Sequence, residues 1–447
     1  MKFEELKTTL IAAAKKAGIT DYEIYYQRGS SLSAEALKDE LNSFTSSADG
    51  GICFRCVIDG KQGYASSELL TKEAVEGLVE KARANAKVSQ SEDEIILFAG
   101  SDSYAPLEAV RAQFPEAAEL RRSTLELQKA LYENSPLVGD GTQSGISYYE
   151  DEVYLFNSKG LDLSNRVCGG LRYADAVVRQ GEEAESAFAF AEEQNKEDCF
   201  ALPEKTVKTA LSRLGAVTIP SGKYPVVIDG KVFKDFLSAF SPIFSAKNAQ
   251  KGLSRLAGKE GEAIAASLVT IVDDPMREGS FAKTNFDGEG VATAKREVVK
   301  DGVLKTLLYD LSTAKKAGVE STGNGQKPSY SAPVSISPYQ FSILPGEDPR
   351  DALFGLAKDG IFVTGCKGFH AGANAVTGDF SMESYGFLIR DGKQAEPIKS
   401  FTISGNIFEL FKEIAALGDT VYWSMPSGFT AFGSPDLYLP LVSVAGD

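Results

Sequence analysis

Histidine is almost absent from this chain: there is one among 447 residues, His370. That shortage excludes more than any motif establishes. A zinc site built from two or three imidazoles cannot be assembled, and any Ser-His-Asp or Cys-His relay has His370 or nothing. Other absences are equally direct. There is no Walker sequence, no HExxH, no GxSxG and no dinucleotide fingerprint, since Gly323-Asn324-Gly325 is followed by no helix signal. No apolar run approaches the roughly 18 residues that cross a bilayer. No run of Lys and Arg is long enough to form a basic patch, and the net charge is -15, so direct nucleic-acid binding is not expected.

The cysteines are few and odd in number: Cys53, Cys56, Cys168, Cys199 and Cys366. Without a secretion signal they are expected to be reduced thiols. Met1-Lys2-Phe3-Glu4-Glu5-Leu6 is acidic and amphipathic rather than a signal peptide, which gives a cytoplasmic expectation. Cys53-Phe54-Arg55-Cys56 has CxxC spacing, but on a strand residues three apart face opposite ways, so a structural role is expected.

What is present is the pattern of a soluble α+β protein, with a mean hydropathy of -0.14. Phe3, Leu6, Leu10, Ala14 and Ala17 share one face of a helix over 3–17, which Gly18 ends. Alternating strands follow, with Asp59-Gly60 marking a hairpin, and then a helix over 71–86 capped by Thr71. Residues 87–104 lose periodicity and read as a linker. A helix from Pro115 to about 133 precedes an antiparallel meander over 145–192, and Pro203 is read as opening a helix that ends at Gly215. Tyr224–Ile228 reads as a strand and Gly230–Phe240 as a helix. Hairpins follow at Asp301-Gly302 and Asp391-Gly392, and a helix over 406–416 starts at Asn406 with Glu409 behind it. Three units are expected: 1–90, a helix and antiparallel-strand subdomain; 105–217, a helix plus β-meander; and 218–447, a β-rich domain closing as a barrel or sandwich.

Three polar clusters are candidates for chemistry. Asp273-Asp274-Pro275 with Asp287-Gly288-Glu289-Gly290 supplies carboxylates for acid–base or metal work, or simply acidic turns. Ser321-Thr322-Gly323-Asn324-Gly325 is a loop whose backbone a ligand can approach closely, or an ordinary loop. His370, Asp379 and Glu383 offer one nitrogen and two oxygens to a metal, against a structural or substrate-contact role for the histidine.

These segments together resemble the PmbA/TldD family. The resemblance rests on Asp273-Asp274-Pro275, Phe286-Asp287-Gly288-Glu289-Gly290-Val291, Asp301-Gly302-Val303-Leu304-Lys305, Leu311-Ser312-Thr313-Ala314 and Thr322-Gly323-Asn324. Above all it rests on Gly372-x-Asn374-x-x-Thr377-Gly378-Asp379-x-Ser381 with Gly386-Phe387. The stretch Gly51–Ala65 is similar too, so most of the chain is covered in order. The family has a TldD branch, with an HExxxH zinc helix and a later cysteine ligand, and a PmbA branch, also called TldE, without them. The two pair in a heterodimer implicated in peptide degradation and in maturation of modified peptides; an older name is modulator of DNA gyrase.

The helix that corresponds to HExxxH is the one at 229–241. It holds no histidine, and no cysteine follows Cys366. The resemblance is therefore to PmbA/TldE. It implies a non-catalytic, peptide-holding subunit, with no cofactor of its own and zinc on a TldD-like partner. It further implies His370, Asn374, Thr377, Asp379 and Ser381 as candidate substrate-binding residues, with peptide lying along a strand edge near Gly368, Gly372 and Gly378. Two alternatives stay open: an independent metallopeptidase with an unorthodox site, and a homodimeric peptide-binding protein without proteolysis.

Overall fold

A computed structural model describes residues 2–89, 95–108 and 113–447. The first half is one six-stranded antiparallel sheet with helices on one face. In chain order its elements are α1 (Phe3–Lys16), β1 (Asp21–Leu37), β2 (Glu40–Ile58), β3 (Lys61–Ser67), α2 (Lys72–Val88) and α3 (Ala117–Glu133). Then come β4 (Gln143–Asn157), β5 (Asp162–Gln180), β6 (Glu183–Glu192) and α4 (Lys196–Leu211). The strand order is β3-β2-β1-β4-β5-β6. The ranges 1–90 and 105–217 thus contribute three strands each to a single sheet, joined where β1 pairs with β4.

Period-two alternation decides what each face of this sheet meets. Ile24, Tyr26, Ile52, Phe54 and Cys56 point to α1 and α2 and pack with Leu6, Leu10, Val75, Leu78 and Ala82. Helices α3 and α4 cover the other end of the same face over Ala34, Ile146, Ala174 and Ala176. The fit is close at Gly63, where a Cβ would sit 1.8 Å from the Ala82 carbonyl oxygen, so only glycine lets α2 lie on β3. Tyr25 and Cys53 point the opposite way and pack with Val153, Leu155, Leu161 and Phe286. Cys53 and Cys56 therefore lie on opposite faces, as the strand geometry required.

The second half contains β7 (Gly222–Ile228), α5 (Gly230–Phe240), a 3-10 turn (Ser241–Phe244), α6 (Ala246–Gln250), β8 (Ile271–Asp273), β9 (Arg296–Lys300), β10 (Val303–Leu304) and α7 (Leu311–Ala317). It continues with β11 (Gly325–Gln326), β12 (Ser335–Ile336), β13 (Gln340–Ile343), α8 (Arg350–Ala357), β14 (Gly360–Lys367), α9 (Phe369–Gly372), β15 (Asp379–Arg390) and β16 (Lys393–Asn406). It ends with α10 (Ile407–Glu413), β17 (Ala416–Leu417), β18 (Tyr422–Trp423), β19 (Ala431–Ser434) and β20 (Leu437–Ala445). One sheet runs β16-β15-β14-β7-β20, and the β16–β20 pairing closes these five strands into a barrel with β17 appended. A second sheet runs β10-β9-β8-β13-β19-β18. The fold is α+β, with antiparallel pairing throughout except β7–β14 and β13–β19.

Helix α5 lies at the centre of the largest core. Asp229 caps it through Lys231 N, and Val232, Phe233, Phe236, Leu237 and Phe240 form its buried stripe at helical spacing. Phe236 meets Phe369 and Phe380 edge-on at 5.0 and 5.2 Å between ring centroids.

Some elements differ from expectation. Helix α4 starts at Lys196, and Pro203 lies inside it. The start signal is Asn195, whose side chain accepts from Asp198 N; Pro203 merely withholds one bond mid-helix, and its buried ring is held by packing. Helix α2 runs on to Val88, and residues 95–104, though irregular, are tied down: the Ile96 and Phe98 carbonyls accept from Arg55 and Asn157, and Tyr104 Oη donates to Gly290 O. The rest of the expected linker, 90–94, lies outside the described residues. Asn406 caps α10 through Phe408 N, and the helix ends at Glu413. Among the described residues no helix is long and apolar enough to cross a membrane.

Candidate functional site

His370 sits on the short helix α9 with its side chain exposed. The segment after it is a tightly bonded turn. Asn374 Oδ1 accepts from Val376 N and Thr377 N, Asn374 N donates to Asp379 O at 2.9 Å, and Asp379 accepts from Asn406 Nδ2 at 2.8 Å. The Asn406 amide and the Thr377 hydroxyl hold the Asp379 carboxyl below the usual carboxylate range. Asn374, Thr377, Asp379 and Ser381 are exposed. The strand edge imagined for a peptide here is occupied by the chain itself: Ala373 bridges to Phe380, and a Cβ on Gly372 would lie 2.2 Å from Ser381 O. Nor do His370, Asp379 and Glu383 form a ligand set; Glu383 instead accepts from Ser400 Oγ. Among the described residues no three His, Cys, Asp or Glu side chains are placed to hold a metal.

The other two polar clusters, separate in sequence, converge. Asp273 accepts from Asn324 Nδ2 and Tyr339 N, both at 2.7 Å. Asp287 accepts from Glu289 N, Val291 N and Gly325 N. Glu289 Oε2 accepts from Leu311 N at 2.8 Å, and Asp310 caps α7 through Thr313 N at 2.8 Å. Gly325 is required where it stands, because a Cβ would lie 2.6 Å from Glu289 Oε2. Burial outweighs these hydrogen bonds for Asp273, whose carboxyl is pushed up to about 7. Burial also pushes Asp287 and Glu289 up, with the Asp310 carboxylate adding to the effect at Asp287 and the Asp287 carboxylate at Glu289. Asp274 differs: it is half-buried and pairs with Lys295 at 3.2 Å. Backbone donors satisfy most of these carboxyls, so the cluster fastens the Gly323–Gly325 loop to its neighbours.

Beside this network lies a cavity of about 420 Å³ between the N-terminal sheet and the second half of the chain. The positions of β1, β2 and β3 that face away from the helices supply Glu23, Arg55 and Tyr64, which are cross-strand neighbours in register. The far wall is Glu289, the start of α7, α6 and Lys327. Arg55 Nη2 donates to Glu23 Oε2 at 2.8 Å, while its Nε is buried with no hydrogen-bond partner among the described residues. Lys327 Nζ donates to Tyr64 Oη at 2.9 Å, lies over the Tyr25 and Tyr64 rings, and is 3.9 Å from Cys53 Sγ. Burial lowers the Lys327 ammonium and raises the Cys53 thiol. A thiol held protonated is a poor nucleophile.

Of the three polar clusters singled out in sequence, Glu289 reaches the cavity wall, and Arg55, Tyr64, Ser312 and Thr313, which carry part of the family resemblance, line it too. Arg55 and Cys53 belong to the CxxC stretch, yet the signal that mattered was one charged residue on each of two strands, Glu23 on β1 and Arg55 on β2, facing each other on the side away from the helices. Contacts from β3 and Lys327 span the chain and leave no local mark.

Zinc fits neither α5 nor its surroundings. The helix has aromatic and aliphatic side chains on its buried stripe, and its carboxylate, Asp235, pairs with Lys234 at 2.8 Å. Cys366 shares a hydrogen bond with Ser384 Oγ and is pushed up to about 12 by burial, far from a thiolate ligand.

Comparison with known proteins fits this architecture. The profile of the PmbA/TldA metallopeptidase C-terminal domain matches residues 221–446, and that of PmbA/TldA metallopeptidase domain 1 matches 22–86. A Haemophilus influenzae protein named metalloprotease PmbA homolog is 26% identical over 92% of this chain and 90% of its own. A Thermotoga maritima crystal structure, described as a modulator of a DNA gyrase, superposes with a TM-score of 0.89 at 30% identity, covering 99% of this chain and 100% of that one. TldE from Thermococcus kodakarensis has the same fold, with a TM-score of 0.86 at 24% identity over 99% of this chain and 100% of that one. The chain belongs to the PmbA/TldD metallopeptidase family.

Proposed function

We propose that this chain is the non-catalytic, peptide-holding subunit of a TldD/TldE-type metalloprotease pair that acts in proteolysis or peptide maturation, with the zinc carried by a TldD-like partner. The observation behind this is the donor chemistry of α5. Where the zinc branch has two imidazoles and a carboxylate, this helix turns Phe233, Phe236 and Phe240 into a sealed core. Metal could enter only by dismantling the packing that holds α5 in place. Holding peptide then falls to surfaces of this chain. His370, Asn374, Thr377, Asp379 and Ser381 present exposed polar groups at one end of the barrel and are the proposed peptide contacts there.

The test is reconstitution. This chain and a family member bearing HExxxH are purified separately and mixed, then followed by size-exclusion chromatography, zinc analysis and cleavage of an unfolded peptide. A stable pair, zinc in proportion to the partner, and cleavage by the pair but not by this chain alone are expected. Cleavage by this chain alone that is lost in His370→Ala, Asp379→Asn or Glu383→Gln would instead establish an independent metallopeptidase. A homodimer that binds peptide and ignores the partner would establish a peptide-binding protein without proteolysis.

A further inference from the structure

The cavity between the N-terminal sheet and α6–α7 carries an imbalance that the family assignment does not account for. Its acidic groups already have partners within the chain. Glu23 pairs with Arg55, Glu289 accepts from Leu311 N, and Asp310 accepts from Thr313 N and Thr313 Oγ1. Its cations do not. Lys247, Lys251 and Lys316 line the opening with no ion pair among the described residues, and the buried Arg55 Nε has no acceptor. In a chain of net charge -15, a cavity with surplus cations is a local reversal of sign. A buried guanidinium N–H without a partner costs free energy unless a ligand atom completes it.

The non-polar part of the wall narrows the ligand further. Ile95, Ile96, Pro333 and Val334 line the same cavity, and its volume of about 420 Å³ suits a molecule with a non-polar body as well as a charged end. Inorganic phosphate would leave that apolar surface uncovered.

We infer that this cavity binds a small organic anion, its carboxylate met by the Arg55 guanidinium in the cavity wall and drawn in by Lys247, Lys251 and Lys316, with its apolar part against Ile95, Ile96, Pro333 and Val334. The free C-terminus of a short peptide has this chemistry. The inference concerns this chain alone and holds whether or not a protease partner exists.

The experiment uses the full chain in phosphate-free buffer at low salt. Calorimetric titration and thermal shift are read with three probes: N-acetylated Ala-Leu with a free C-terminus, the same dipeptide as its C-terminal amide, and inorganic phosphate. The free acid should bind and raise the melting temperature, and the amide should bind at least about tenfold more weakly, the size of one charge-assisted hydrogen bond. Substituting Lys247→Gln, Lys251→Gln and Lys316→Gln together, at partly or fully exposed positions, should weaken the free acid by a similar factor without altering the unliganded melting temperature. Arg55→Gln should also weaken the free acid, but it strands Glu23 and lowers the unliganded melting temperature, so the lysine variant keeps the test decisive. Equal binding of acid and amide, binding of neither, or an unchanged affinity in the lysine variant would overturn the assignment. Phosphate binding with no binding of the peptide acid would overturn it in favour of an inorganic ligand.

Discussion

Arg55 and Glu23 stand opposite each other on neighbouring strands, β2 and β1, with side chains 12% and 5% exposed and 2.8 Å between Nη2 and Oε2. The pair is buried under the second half of the chain, so each charge depends on the other. Glu23→Ala would strand the guanidinium and is expected to cost about 3–5 kcal/mol. Urea denaturation measures this. Adding Arg55→Leu should recover much of the loss; additive single effects would show that the two residues are not coupled.

Asp273 gives stability a pH dependence of definite sign. Its folded carboxyl titrates at about 7 because it is buried, against about 3.9 in an unfolded chain. The folded state therefore binds more protons between these values. Its contribution is fully present below about pH 4 and is lost as pH rises toward 7. Buried Asp287 and Glu289, also raised, act in the same direction. In Asp273→Asn the fall in melting temperature from pH 4 to 7 should be shallower than in the parent chain. A parallel pair of curves would show that Asp273 does not titrate in that window.

Gly325 closes the carboxyl cluster, and its substitution by alanine puts a methyl group against Glu289 Oε2 and Asp287 Oδ2, at 2.6 and 3.1 Å. The expected cost is about 1–3 kcal/mol. Because Glu289 also lines the cavity, the rearrangement should be visible in hydrogen exchange of Gly325 and Leu311, two of the amides these carboxyls hold.

Phe236→Ala should cost about 3–5 kcal/mol, since it empties the meeting point of three aromatic rings in the main core. His370→Ala removes an exposed imidazole and should change stability by no more than about 0.5 kcal/mol. Chemical denaturation of both variants tests the contrast. A large loss on removing His370 would mean that it has a structural role the fold does not reveal.

Much of the fold could be read from local signals. An apolar stripe gave α1, Thr71 and Asn406 marked helix starts, and Asp-Gly turns marked hairpins, all features confined to a few neighbouring residues. Pro203 misled because a proline reads locally as a helix start, while burial lets α4 run through it. The barrel closure rests on β16 meeting β20, with Ile403 opposite Val444, and nothing within either segment specifies that partner. The site divides the same way. Glu289 and the loop at Asn324 stood out by composition. Glu23, Arg55 and Lys327 are ordinary charged residues until the sheet and the second half of the chain bring them together.

The long central strand has a practical consequence. β1 is bonded along its length to β4, from Glu23 opposite Asn157 to Leu37 opposite Gln143. A fragment cut after residue 90 would leave that row of amides and carbonyls open on both pieces, each a template for another chain. Expression of either piece alone is expected to yield aggregates, and limited proteolysis of the intact protein should not release the first 90 residues as a soluble module.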